Sequence, residues 1–120
     1  MQRAILDTSS IVYAFLNKAD IFEAVEDQLG ARPILSSGVL NELRMLAGKG
    51  KREGVGARVA LEIMKKHKVE VIEDDRRVDE WIIEYSSNAD YVCTNDIRLK
   101  HVLVGKGRQV LSMSEDGRLR

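Results

Sequence analysis

The chain is poor in the residues that build disulfide scaffolds and base-stacking surfaces. It holds one cysteine, Cys93, and one proline, Pro33, among 120 residues. A lone thiol closes no internal disulfide, which excludes a disulfide framework and fits a reducing, cytoplasmic setting. The one tryptophan, three tyrosines and two phenylalanines fall mostly on apolar helical patterns, so no platform for stacking bases is legible. No apolar run is long enough to cross a bilayer. Residues 4–6 are apolar too briefly for a secretory signal before Asp7 interrupts them. Repeats, low-complexity tracts and linkers are absent. Net charge is absent too, because nineteen basic and nineteen acidic residues cancel. Any surface for a polyanion must therefore come from local clustering.

What is present is an alternation of short apolar runs with helical patterns, which points to an α/β fold. With 44% hydrophobic and 32% charged residues, the chain suffices for one core, and we expect one domain spanning residues 1–120. Ala4, Ile5 and Leu6 read as a buried strand ending at Asp7. Ser9 or Ser10 is placed to cap a helix carrying Ile11, Val12, Ala14, Phe15 and Leu16. Asp20 is placed to cap a second helix, which Gly30 closes. Pro33, Ile34 and Leu35 read as a second strand with the proline first, and Ser36 or Ser37 opens a helix through Leu46. Residues 48–56 read as a glycine- and charge-rich loop. The helix after it, through Val59, Ile63 and Met64, ends in Lys65, Lys66, His67 and Lys68, where positive charge suits the dipole. A strand over 69–72 precedes a helix capped by Asp74 or Asp75 and bearing Val78, Trp81, Ile82 and Tyr85. A strand over 91–94, a short helix over 97–103 and a strand at 110–111 complete the chain. Strands separated by helices predict a mainly parallel sheet of about five strands with helices on both faces.

In an open parallel sheet, ligands bind beyond the carboxyl ends of the strands. Asp7 follows the first strand directly, and Asp96 follows the fourth after Thr94 and Asn95, so parallel pairing sets both on one rim. Taken singly, each acid is equally well a helix cap. Glu42 lies within the apolar pattern of Val39, Leu40, Leu43 and Leu46, where a solvated flank also accounts for it. Asp79 opens the helix of Trp81 and Ile82, where an acid suits the N-terminal dipole without any catalysis. As a group they mean more. Carboxylates gathered within a few ångströms repel one another and raise their own pKa values unless a cation neutralises them. An all-oxygen set suits Mg²⁺ or Mn²⁺ with waters retained, and such ions activate water against a phosphodiester. His67 and His101 lack thiolate or helical partners for zinc and read as surface residues. Cys93, between Val92 and Thr94, reads as packing.

Three stretches resemble PIN-domain nucleases: Ala4 to Ser9, then Leu40, Asn41, Glu42 and Leu43, then Ala89 to Leu99. The last is the most specific, with Ala89, Asp90, Tyr91 and Val92 leading into Thr94, Asn95, Asp96 and Leu99. The resemblance runs from Ile5 to the strand around Val110. It is nearest to archaeal relatives of the PIN proteins that cleave pre-ribosomal RNA, with VapC-type toxins as the next group. It implies a three-layer α/β/α sandwich, Mg²⁺ or Mn²⁺, and cleavage of single-stranded or structured RNA. The family's first acid falls on Asp7, its second on Glu42 and its last on Asp96. Asp79 matches the third, with its neighbour Glu80 in reserve. Thr94 and Asn95 would support the last turn, and Thr8 or Ser9 the first. The function this implies is a metal-dependent endoribonuclease in RNA processing.

A neutral protein that binds a polyanion has to segregate its charge. Lys49, Lys51 and Arg52 follow the helix of Glu42, while Arg98, Lys100 and His101 follow Asp96. Arg98 and Lys100 are the nearest to an acid in sequence, although each cluster is equally a solvated face. Lys65, Lys66 and Lys68 end a helix and point to no site. The competing readings are a VapC-type toxin with an antitoxin partner and a non-catalytic RNA-binding scaffold in a ribosome-assembly complex. A homodimer is a further partner expectation. A response-regulator-like phospho-acceptor would want adjacent acids near the N-terminus, and Asp7 has no acidic neighbour.

Overall fold

Asp7 ends the first apolar run, and the computed structural model, which describes residues 1–120, shows the consequence. The chain runs β1 (Gln2–Leu6), α1 (Thr8–Leu16), α2 (Ile21–Leu29), β2 (Ala31–Ser36), α3 (Ser37–Ala47) and α4 (Arg52–Met64). It continues through β3 (Glu70–Ile72), α5 (Val78–Tyr85), a 3₁₀ turn at Ser86–Asn88, β4 (Tyr91–Cys93), α6 (Ile97–Gly105) and β5 (Val110–Leu111). The strands pair in the order β3-β2-β1-β4-β5, and every pairing is parallel. This is the expected α/β/α sandwich.

Successive side chains of a strand leave on opposite faces. Ala4 and Leu6 of β1 therefore join one core with the apolar residues of α1, α2, α3 and α4. Ile5 joins the other, with Ile34, Val92, Trp81, Ile82, Leu99 and Leu103. Trp81 stacks on Tyr85 with ring centroids 4.8 Å apart, an arrangement that adds about 0.5–1.5 kcal/mol to simple burial. From β1 the chain steps outward to β2 and β3, then returns to the far side of β1 for β4 and β5. The reversal falls between β1 and β4, where open sheets leave a crevice at their carboxyl ends.

Several local expectations give way to packing. Neither Ser9 nor Ser10 caps α1. Asp7 holds the N-cap position, and the Ser10 hydroxyl instead shares its one proton between the carbonyls of Asp7 and Cys93. Pro33 is the third residue of β2, not the first. It is tolerated because the β2–β3 ladder begins only at Ile34, so Pro33 has a strand on one side only. Asp74 and Asp75 do not cap α5, whose N-cap is Arg77; Asp74 is taken up by Arg76 and by the Ser37 hydroxyl. The loop read over 48–56 ends early, since α4 begins at Arg52 and buries both Gly54 and Gly56. A Cβ at Gly54 would lie 2.2 Å from the Lys49 carbonyl oxygen, so only glycine lets the first turn of α4 press against the end of α3. His67 is no surface residue either. It lies between Asp20 and Glu26, against the Phe22 ring.

Candidate active site

Asp7 stands where β1 ends and α1 begins, and its carboxylate makes no capping bond. Its Oδ2 instead accepts from Thr94 Oγ1 at 2.7 Å and from Ser9 Oγ at 2.9 Å. Thr94 Oγ1 accepts the Asp96 N–H at 3.0 Å, and Ser9 Oγ accepts the Asn95 N–H at 3.1 Å. A hydroxyl has one proton to give. Both are committed to Asp7, while the backbone of the 94–96 turn holds both oxygens in place. Asp7 is 6% exposed, and this burial lifts its carboxyl above the ordinary range. The hydroxyl bonds from Thr94 and Ser9 and the Thr8 backbone oppose the lift, while the charge of Glu42 adds to it.

Asp96 is both things the sequence allowed. Its Oδ1 caps α6 by accepting from Arg98 N at 2.9 Å and Leu99 N at 3.1 Å, yet the exposed residue also lines the cleft. Glu42 is carried by α3, whose first turn is capped by Ser36 Oγ accepting from Val39 N at 3.2 Å. The Thr8 hydroxyl donates to Glu42 Oε1, tying the first acid's loop to the second acid. Asp79 lies in the first turn of α5. That turn can approach α3 because Gly38 has no side chain: a Cβ there would stand 3.1 Å from Val78 Cγ2.

Asp7, Glu42, Asp79 and Asp96 thereby line one open cleft of about 400 Å³, with Thr8 and Ser9 beside them. Lys49, Met45, Leu46 and Val78 form the rest of its wall. Glu80 is not part of the lining. Of the basic residues singled out from sequence, Lys49 alone lines this cleft; Lys51, Arg52, Arg98 and Lys100 do not. Proximity to Asp96 in sequence misleads because α6 turns away to seat Leu99 and Leu103 in the second core. Lys100 Nζ lies 3.3 Å from Ser112 Oγ. Asn95 supports its turn from behind, with Nδ2 donating to Met113 O at 2.9 Å and Oδ1 accepting from Met113 N at 3.0 Å. Cys93 is fully buried, and burial pushes its thiol up to about 12, so it packs and does not react. The apolar wall was missed from sequence, although Glu42, Met45, Leu46 and Lys49 follow the i, i+3, i+4, i+7 spacing of one helix face.

The donor set is all oxygen, and its innermost carboxyl is held in a desolvated seat that disfavours an uncompensated negative charge. No three carboxylates, histidines or cysteines lie close enough to enclose an ion by themselves. Such a set fits Mg²⁺ or Mn²⁺, which are typically bound through one or two carboxylates and keep several waters. It does not fit a closed cage.

A parallel α/β/α sandwich with acids gathered at its topological switch point defines a class of proteins that bind ligands or cations at that crevice. Within that class, residues 4–115 match the model of a family described as PIN like domain. The chain is 33% identical to Ribonuclease VapC9 of Archaeoglobus fulgidus, over 97% of this chain and 86% of that protein. It is similar to the structure of the PIN domain endonuclease Utp24, with a TM-score of 0.76, 29% identity, and coverage of 98% of this chain and 90% of that one. It shares its fold, at a TM-score of 0.63 and 19% identity, with VapBC2 from Rickettsia felis, over 92% of this chain and 98% of that one. The chain belongs to the PIN-like domain family.

Proposed function

We propose that residues 1–120 act as one PIN-like domain that hydrolyses RNA phosphodiester bonds as a Mg²⁺- or Mn²⁺-dependent endoribonuclease. The observation that carries this reading is the meeting of Asp7, Glu42, Asp79 and Asp96 in one cleft at the β1–β4 switch. These four residues would supply the carboxylate oxygens for divalent ions, one or two to an ion, with waters completing each shell. When bound, the ions supply an activated water and stabilise the leaving oxygen. Thr94 and Ser9 hold Asp7 in place, and Thr8 does the same for Glu42. Lys49, across the same cleft, offers a cation to a substrate phosphate.

The role is RNA processing in the cytoplasm, with RNA and a ribosome-assembly complex as partners; the 29% identity to a PIN domain endonuclease supports the endonucleolytic part. A second reading, a toxin ribonuclease held by an antitoxin, is favoured by the 33% identity to Ribonuclease VapC9. Growth arrest on induction, relieved by a small DNA-binding partner encoded upstream, would select it. Incubation of purified protein with labelled RNA, with and without Mn²⁺, tests the shared claim. Asp7→Asn and Asp96→Asn are expected to abolish cleavage while the fold persists. Full activity in either variant removes that residue from the mechanism, and metal-independent cleavage by the wild type removes the metal.

A further inference from the structure

The two edges of the sheet differ. After β5 the chain folds back on itself, with Ser112 and Arg120 exchanging backbone bonds at 2.9 Å. β3 forms the other edge and is paired with β2 on one side only. Apart from that ladder, no hydrogen bond reaches the main chain of residues 69–73, and Val71 at the centre of β3 is 37% exposed. Such an edge is a template for a further strand unless charge guards it. Here the charges are ordered by sign along the chain. Lys65, Lys66 and Lys68 come before the strand, and Glu73, Asp74 and Asp75 come after it. Lys66, Lys68, Glu73 and Asp75 are exposed and make no ion pair within the chain.

We propose that β3 is a homodimer interface, pairing antiparallel with β3 of a second copy about a two-fold axis at Val71 and joining the two five-stranded sheets into one. A two-fold axis makes the contact self-complementary, since each copy presents the same patch. Main-chain hydrogen bonds supply the attraction, as in other strand additions. The flanking charges supply the direction. Parallel pairing would set like charges side by side, whereas antiparallel pairing brings the basic end of each strand to the acidic end of the other. Charge also selects the register. Residues that face one another must point to the same side of the sheet, so the pairing shifts only in steps that preserve this. Centred on Val71, the pairing sets Lys68 opposite Asp74 and Glu70 opposite Ile72. The next register in either direction sets Glu70 against Glu70, or Glu70 against Asp74, like against like. Because the strands run oppositely, the two catalytic clefts open at opposite ends of the joined sheet. The interface leaves both free and is independent of what they bind.

Sedimentation of the wild type between ~1 and ~100 μM should show monomer passing to dimer, with Kd of roughly 10 μM, as suits a contact of less than about 1,200 Å². One variant carries Lys66→Glu with Lys68→Glu, and another carries Glu73→Lys with Asp75→Lys. Each by itself sets like charges across the two-fold and should weaken dimerisation roughly tenfold or more. An equimolar mixture of the two restores opposite charges at both ends and should regain the wild-type affinity. Val71→Cys decides the matter should those variants fail to fold. At the two-fold its Cα lies about 4.5–5.5 Å from that of the second copy, within the span of a disulfide. Mild oxidation should link Val71→Cys into a dimer faster than Ile97→Cys, a more exposed position on α6, while the buried Cys93 stays reduced. A wild type that is monomeric throughout overturns the interface. So does a mixture no tighter than its parts, or a Val71→Cys chain that links no faster than Ile97→Cys.

Discussion

Thr94 joins two acids through a single hydroxyl, donating to Asp7 and accepting from the Asp96 backbone. Thr94→Val keeps the volume and removes both bonds. Loss of a partner that orients a metal ligand costs about 10–100-fold in metal affinity or activity. That loss is expected in Mn²⁺ titrations of cleavage for Thr94→Val, and Thr94→Ser should recover most of it. His67 makes a different kind of residue-scale prediction. Its Nε2 lies 2.9 Å from Asp20 Oδ2 and its Nδ1 lies 3.0 Å from Glu26 Oε1. Both nitrogens donate at once only in the imidazolium. Burial alone would lower its pKa, but the hydrogen bonds and charges of Asp20 and Glu26 outweigh it and raise the value above the ordinary 6.5. A raised pKa makes protonation favour the folded state. The stabilisation is complete below the unfolded value and is lost as pH rises through the folded one. Melting temperature should thus decline as pH rises above the ordinary imidazole value and through the raised folded one, and His67→Gln should flatten the decline. An unchanged slope in the variant would show that the trio contributes nothing to it.

At the scale of elements, two glycines set how closely helices meet around the cleft. Gly38 admits the start of α5 beside α3, bringing Asp79 toward Glu42, and Gly54 admits α4 against the turn that carries Lys49. For Gly54→Ala the obstruction is backbone, with the Lys49 and Leu46 carbonyl oxygens at 2.2 and 2.7 Å, so the turn itself must shift. Overpacking of this kind costs about 1–3 kcal/mol. Urea unfolding should register that cost, and RNA affinity should fall with it because Lys49 moves. A variant with unaltered affinity would separate the turn from substrate binding. Gly54, together with Gly56, also accounts for the misread loop: the two break a sequence pattern, yet in the folded chain they let α4 pack, Gly54 against the end of α3 and Gly56 against Val12 and Leu16 of α1. The C-terminal segment was equally illegible: backbone bonds between Ser112 and Arg120 and between Ser114 and Arg118 close its antiparallel bridge of Met113 with Leu119, and side chains distant in sequence anchor it. Gln28 takes the Gly117 carbonyl and the Leu119 N–H, while Asn95 takes both backbone groups of Met113.

For the whole molecule, balanced charge implies weak long-range attraction for RNA, so affinity rests on the few cations that reach the cleft. Each phosphate neutralised on a single strand contributes about −0.7 to the slope of log K against log salt. Lys49→Ala is expected to reduce the magnitude of that slope by about 0.7, while Lys65→Ala leaves it unchanged. Equal slopes for Lys49→Ala and wild type would remove Lys49 from phosphate binding. No helix of the protein is long and apolar enough to cross a membrane. The strands, their parallel pairing and the acids Asp7 and Asp96 at their ends were legible in the sequence by itself, because alternating periodicity and an abrupt Asp after an apolar run are local features. The neighbours of those acids were decided only by tertiary structure. Lys49 enters the cleft and Arg98 does not, Met45 and Val78 share a wall, and Gly38 lets α5 close on α3. Each of these depends on where helices cross, and crossings are set by packing between residues far apart in the chain.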